Sequence, residues 1–251
     1  MSGLVICATQ RCGSTMVLED IRNVGGLGVP EEYFIPWDSS KNKDWEMYIE
    51  NIKKNAATSN GVYSVKVMAN QLPVIDKCLI GTKYDKSNGV RGVYPRFKEA
   101  FSDCKFLMLK RDSIVRQAIS RELARQTGIN HATKNSDDQH FAGNLMLGYD
   151  ESYNRRSSYQ VDRLSREVVK IAAENSVWEH FFDSHGIKSP LVLRYEEICK
   201  NFPGYLGRIA RFLGVEISED TIFEERKMVK LSNNINDDWF DCFIHDILGD
   251  G

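Results

Sequence analysis

Residues 4–24, LVICATQRCGSTMVLEDIRNV, join a buried strand to a helix through a short polar loop. The opening run Leu4, Val5, Ile6, Cys7 and Ala8 is apolar without interruption and contains β-branched residues. That composition suits a strand covered on both faces in a parallel sheet. Val17, Ile21 and Val24 then recur at helical spacing, and Gly25-Gly26 supplies the stop. The loop therefore points the unpaired N–H groups of a helix start, and the positive end of its dipole, at one spot. Gly13 permits close approach, Ser14 and Thr15 add hydroxyl donors, and Arg11 adds a permanent charge. Each feature favours a phosphate or sulfate over an ordinary capped turn.

Two common anion loops do not fit. A nucleoside-triphosphate P-loop needs a lysine directly after its second glycine, whereas Ser14 follows Gly13 here. A phosphatase cysteine loop needs an arginine six residues after the cysteine, and Cys7 and Cys12 are followed at that distance by Gly13 and Leu18. The segment TQRCGST does resemble the 5′-phosphosulfate loop of sulfotransferases, T-x-R-S-G-S-[ST], with Cys12 where serine is commoner. Such a loop binds 3′-phosphoadenosine 5′-phosphosulfate (PAPS).

The remaining composition narrows the classes. A chain of 251 residues with 42% hydrophobic content can fill one sizeable α/β core. A net charge of −2 argues against a broad nucleic-acid surface, so basic residues should act locally. The six cysteines form no C-x-x-C pairs, and no His/Cys/Asp cluster has metal spacing. With no signal-peptide pattern and no run long enough to span a bilayer, a cytoplasmic protein with reduced thiols is expected.

Further along, residues 28–34 (GVPEEYF) form a rigid turn carrying two adjacent carboxylates, Glu31 and Glu32. Residues 45–52 read as a helix and 62–69 as a buried strand whose one charge, Lys66, either snorkels from the strand end or faces the site. Residues 82–93 read as a polar surface loop. A strand at 105–110 runs into Arg111-Asp112 and a helix from Ile114 to Thr127 closed by Gly128. Residues 130–157 show no period and are expected to be a lid, a binding insertion or a disordered loop. A long helix at 158–184, a strand at 190–195, a helix at 205–213 and a terminal helix at 237–248 complete the alternation. The expected fold is α/β: a P-loop-like parallel sheet with helices on both sides, in one domain with helical and loop insertions. A lid or acceptor-binding insertion is expected at 129–157.

Several blocks together resemble the bacterial trehalose 2-sulfotransferase family, which sulfates carbohydrates and glycolipids. They are TQRCGST, PEEYF, GVYSVKVM, the RD…QAIS segment with Gln126-Thr127-Gly128, VWEHFFDSHGI, LRYEEI, RFLGV and NDDWFDCF, in the family's order. The resemblance implies PAPS as donor, 3′,5′-phosphoadenosine (PAP) as product, and no metal. It implies that Arg11, Cys12, Gly13, Ser14 and Thr15 hold the 5′-phosphosulfate, and that Arg111 and Ser120 hold the 3′-phosphate. The arginine-to-serine spacing is nine here where eight is usual. Glu32 matches the family's proposed general base, and Arg11 would stabilise charge on the leaving group. A low-pKa, redox-active Cys12 is a minor option. The implied partner is a small-molecule or glycolipid acceptor, with a homodimer left open. Rival readings are sulfation of a small secondary metabolite at a hydroxyl or amine, a phosphoryl-transferring P-loop enzyme, and a non-catalytic nucleotide- or sugar-binding module.

Overall fold

In the computed structural model, which describes residues 2–85, 92–218 and 221–249, the first apolar run becomes β1 (Ser2–Ala8). It is hydrogen-bonded along both edges, to β2 (Val62–Met68) and to β3 (Cys104–Lys110). A strand so placed has no face or edge left for water, which is why it is apolar throughout. The sheet is parallel with order β2-β1-β3-β6, where β6 is Leu191–Arg194. The chain leaves β1 for one neighbour and later returns to the other side, so the order reverses at β1. In open parallel sheets, ligands bind beyond the strand ends at such a reversal.

Alternation along the strands sorts the core into two layers. Val5, Cys7, Tyr63, Val65, Val67, Phe106 and Met108 face one side. That side is covered by α2 (Trp45–Asn55), α3 (Leu72–Cys78), α4 (Pro95–Ala100) and α6 (Val161–Ser184). Leu4, Ile6, Ala8, Leu107 and Leu109 face the other, against α1 (Ser14–Val24), α7 (Tyr195–Lys200) and α8 (Gly204–Leu213). The expected parallel sheet with helices on both sides is thus found. A smaller cluster joins α5 (Ile114–Thr127) to α6 and α9 (Asn234–Leu248).

Three short helices were not expected from periodicity: α3, α4 and α7, of six or seven residues each, are too short to show one. The long helix starts at Val161 rather than 158, and α9 starts three residues early because Asn233 caps it. Part of the expected 82–93 loop, residues 86–91, lies outside the described residues. Residues 130–157 are folded onto the body rather than disordered. Their short strands β4 (His131–Ala132) and β5 (Leu145–Met146) pair in parallel, and Thr133 bridges Met228. Among the described residues no helix is long and apolar enough to cross a membrane.

Two contacts fix the ends of β1 and α1. Trp178 on α6 is fully buried, and its indole N–H donates to the Ala8 carbonyl at 3.2 Å, at the last residue of β1. Asp20 on α1 is buried and accepts from Arg226 Nη2 at 2.6 Å and from the Tyr205 hydroxyl. Burial pushes the Asp20 carboxyl up, and these two partners pull it back.

Trp178→Ala should lower unfolding free energy by about 3–5 kcal/mol, the cost of emptying a large aromatic site. Urea denaturation followed by far-UV circular dichroism measures it, and a loss below about 1 kcal/mol would show that the site collapses freely.

Candidate active site

A cavity of about 300 Å³ opens at the carboxyl ends of β1 and β2, bordered by Arg11, Ser14, Thr15, Glu32, Lys66 and His131. Its floor is the start of α1. No side chain caps that helix, so its first N–H groups face the cavity without an intrahelical acceptor. Gly13 precedes it at φ 91°, and a Cβ there would lie 2.5 Å from the Tyr195 ring, so the loop needs glycine on both counts. The same ring carries the Arg111 guanidinium 4.5 Å from its centroid. Tyr195 thereby ties the loop after β1 to the junction after β3.

Arg11 itself adopts the left-handed region, φ 68°, a strained conformation for a residue with a side chain. Its Nε donates to Ser120 Oγ at 3.0 Å on α5, and its Nη1 donates to the Asn130 carbonyl. Gln117, one turn earlier on α5, holds the loop from above through Thr9 Oγ1 (2.9 Å) and the Gln10 carbonyl (2.8 Å). Desolvation draws the Arg11 guanidinium down to about 10, Arg111 adding to this and Tyr153 opposing it, so Arg11 stays cationic at neutral pH.

The 28–34 turn docks on the outer edge of β2. The Lys66 N–H donates to the Glu31 carbonyl at 3.4 Å, and Gly28 sits where an added Cβ would meet the Ser64 nitrogen at 2.4 Å. The two carboxylates diverge. Glu31 turns away to Arg22 at 2.5 Å, while Glu32 pairs with Lys66 Nζ inside the cavity. Lys66 therefore faces the site. Its side chain is 3% exposed and that of Glu32 42%.

Arg11, Gly13, Ser14, Thr15, Glu32 and Ser120 are brought to one cleft or its rim. Arg111 joins them through Tyr195, with its Nε buried and lacking a hydrogen-bond partner and Glu196 3.7 Å away. Ser120 has Arg11 as its hydrogen-bond partner. Cys12 departs from expectation. Its N–H is spent on the Thr9 carbonyl at 3.2 Å, and its side chain is buried among the core residues behind α1. Burial pushes the thiol up, opposite to the shift a reactive cysteine at a helix start would need. Three further residues at the cleft escaped sequence reasoning. His131 lies in the stretch without periodicity, Arg121 on α5 is engaged bidentately by Glu174 at 2.7 and 2.9 Å, and Tyr195 follows a four-residue strand. Only Tyr195 carried a usable signal, its place at a strand-to-helix junction. No cluster suited to a metal ion is found among the described residues.

A family model described as Stf0 sulphotransferase matches residues 3–246. Trehalose 2-sulfotransferase of Mycolicibacterium smegmatis (strain ATCC 700084 / mc(2)155) is 21% identical over 281 residues, covering 98% of this chain and 96% of that protein. The trehalose 2-sulfotransferase of Mycobacterium tuberculosis (strain ATCC 35801 / TMC 107 / Erdman) is 20% identical, covering 95% and 93%. A crystal structure of a sulfotransferase from Alicyclobacillus acidocaldarius aligns over 99% of this chain and 93% of that one, with a TM-score of 0.47 and 14% identity.

His131 lies 3.4 Å from Thr15 Oγ1, and burial, then the charges of Arg11 and Lys66, push its imidazole down to about 3. A histidine held neutral in the fold binds its proton only on unfolding, so its contribution to stability is present above about pH 6.5 and is lost as pH falls towards 3. His131→Gln should flatten that acid limb of the stability curve. Imidazole NMR of the wild type should show no His131 titration between pH 5 and 8, and a midpoint near 6.5 would overturn the assignment.

Proposed function

The chain belongs to the Stf0 sulphotransferase family, and from that membership we propose that it moves a sulfuryl group from PAPS to a hydroxyl of a carbohydrate or glycolipid acceptor. The observation that carries this is the meeting of two strand-to-helix junctions. The start of α1, Arg11 and Glu32 line one cleft, and the Tyr195 ring, packed over Gly13 and under the Arg111 guanidinium, brings the second junction against the first. Gly13 without a side chain and a buried Arg111 Nε without a partner both suit phosphate oxygens. In this reading the α1 N–H groups with Ser14 and Thr15 hold the 5′-phosphosulfate, and Arg111 with Ser120 holds the 3′-phosphate.

The chemistry asked of the protein is modest. Glu32 accepts the acceptor's hydroxyl proton as that oxygen attacks sulfur. The bond from sulfur to the phosphate oxygen breaks, its electron pair leaves with PAP, and Arg11 with the helix N-terminus meets the charge that grows there. The folded segment 129–157 would cover the cleft and select the acceptor, supported by His131 and Asn130 at the cavity wall. The trehalose in the names of two relatives supports a sugar as that acceptor.

PAP should raise the melting temperature far more than ATP or GTP, because the loop lacks the lysine that a triphosphate needs. Equal shifts with ATP, or none with PAP, would overturn the donor assignment. Glu32→Gln should cut kcat by about 10²–10⁴-fold without weakening PAPS binding. Glu31→Gln, altering a carboxylate already turned to Arg22, should keep near-wild-type turnover. A dead Glu31→Gln beside an active Glu32→Gln would move the base by one residue.

A further inference from the structure

Thr15, Glu19 and Arg22 follow one another on α1 at spacings of four and three, so they share one face of that helix. The inserted segment runs along this face in the same direction. His131 Nε2 lies 3.4 Å from Thr15 Oγ1, and His140 Nε2 lies 3.4 Å from Glu19 Oε1, the last two side chains being almost fully enclosed. Phe141 stacks on His140 with ring centroids 4.6 Å apart, and the Arg22 guanidinium sits 4.4 Å over the Phe141 ring. Nη1 of the same guanidinium donates to Glu31 Oε1 at 2.5 Å. A continuous line of contacts therefore leads from the insertion, across α1, to the residue next to Glu32.

The turn at the end of that line is anchored at its two ends and little between them. The Val29 N–H donates to the Ala56 carbonyl at 2.7 Å, Gly28 packs on Ser64, and Phe34 is buried. Among the described residues, one backbone bond ties residues 30–33 to the sheet, from the Lys66 N–H to the Glu31 carbonyl, and at 3.4 Å it is long. The adjacent carboxylates of Glu31 and Glu32 diverge. Fixing the first therefore fixes the backbone from which the second departs. The Arg22 and Glu31 side chains are 28% and 45% exposed, and an ion pair so placed adds little to stability. Its worth is directional. We propose that Arg22 is a positioning residue for the base. Laid on Phe141, it clamps Glu31 and so aims Glu32 at the acceptor hydroxyl, which couples the segment over the acceptor to the residue that takes its proton. This rests on the reading of Glu32 as base. The proton still passes from the acceptor oxygen to Glu32, and Arg22 keeps its own protons throughout.

Hydrogen exchange read by mass spectrometry tests the line of contacts without any acceptor. Phe141→Leu removes the ring beneath Arg22 and should speed exchange of the 28–34 peptide about two- to fivefold, the scale of an exposed cation–π contact. In the Arg22→Met background the same change should leave that peptide unaffected. Transfer of labelled sulfuryl groups from PAPS to a glucose disaccharide tests the consequence. Arg22→Met and Glu31→Leu should each lower kcat about 10- to 100-fold, as a base displaced by up to about 1 Å would, with the PAPS KM and PAP affinity within about twofold of wild type. The double variant should be no slower than either single one. Glu31→Gln keeps an oxygen for Arg22, and Arg22→Lys keeps the charge without the flat face, so the latter should restore part of the lost kcat. Unchanged 28–34 exchange in Phe141→Leu, an exchange effect that persists without Arg22, kcat losses that multiply in the double variant, or PAP affinity falling in step with kcat would each overturn the proposal and leave Arg22 and Glu31 a surface pair. A fully active Glu32→Gln would instead overturn the reading of the base on which it stands.

Discussion

The structure depends on β1 being enclosed on both faces and both edges. Its neighbours β2 and β3 leave it no solvent, so its last residue must deliver the chain into the open cleft in a few residues. Trp178 fixes that delivery point by hydrogen-bonding Ala8, and Gly13 completes the turn at a positive φ beneath the Tyr195 ring. Everything that gathers at the cleft refers to this geometry. Arg11 is splayed by its own left-handed backbone towards α5, and the start of α1 is left uncapped and aimed outwards. A serine or aspartate cap there would satisfy the helix but fill the space an anion needs.

Charge is organised as strictly as shape. The cleft concentrates cations at the carboxyl ends of the sheet and spaces their counter-ions by distance and direction. Arg121 is engaged by Glu174 and Glu167 on α6, Arg111 is stacked and only loosely met by Glu196, and Lys66 is matched by Glu32. Two adjacent glutamates on one turn show how little sequence distance is needed. Glu31 is turned away to Arg22, and Glu32 is turned into the cleft beside Lys66 by the geometry of the docked turn.

Much of this was legible in the residues. The strand, loop and helix at 4–24 are found as read, as are the junction at Arg111 and the helix closed by Gly128, because each is declared by local apolar spacing and a glycine stop. What escaped depends on contacts between distant segments. No local pattern says that Tyr195 will stack on Arg111 and roof Gly13, or that His131 will reach Thr15 from a stretch with no period. Cys12 was misjudged for the opposite reason. Its position in the loop suggested a donor, but the tight turn to Thr9 uses its N–H, a detail set by backbone geometry rather than residue type. Lys66 was readable as an oddity, a charge within a buried strand, without its direction being readable.

The Asp20 contact has a consequence for how the chain is made. Asp20 sits on the helix that begins at the anion loop, yet its partners Tyr205 and Arg226 come 185 and 206 residues later. A carboxylate enclosed without partners is costly, so α1 cannot settle against the sheet while the chain is still emerging from the ribosome. Loop closure over such a span also slows folding. A nascent chain released before residue 226 would hold a complete anion-loop sequence on a helix that water still contests. The cleft is written at the start of the polypeptide and becomes rigid only near the end of synthesis, so truncated products should be proteolysed rather than accumulate as partial enzymes.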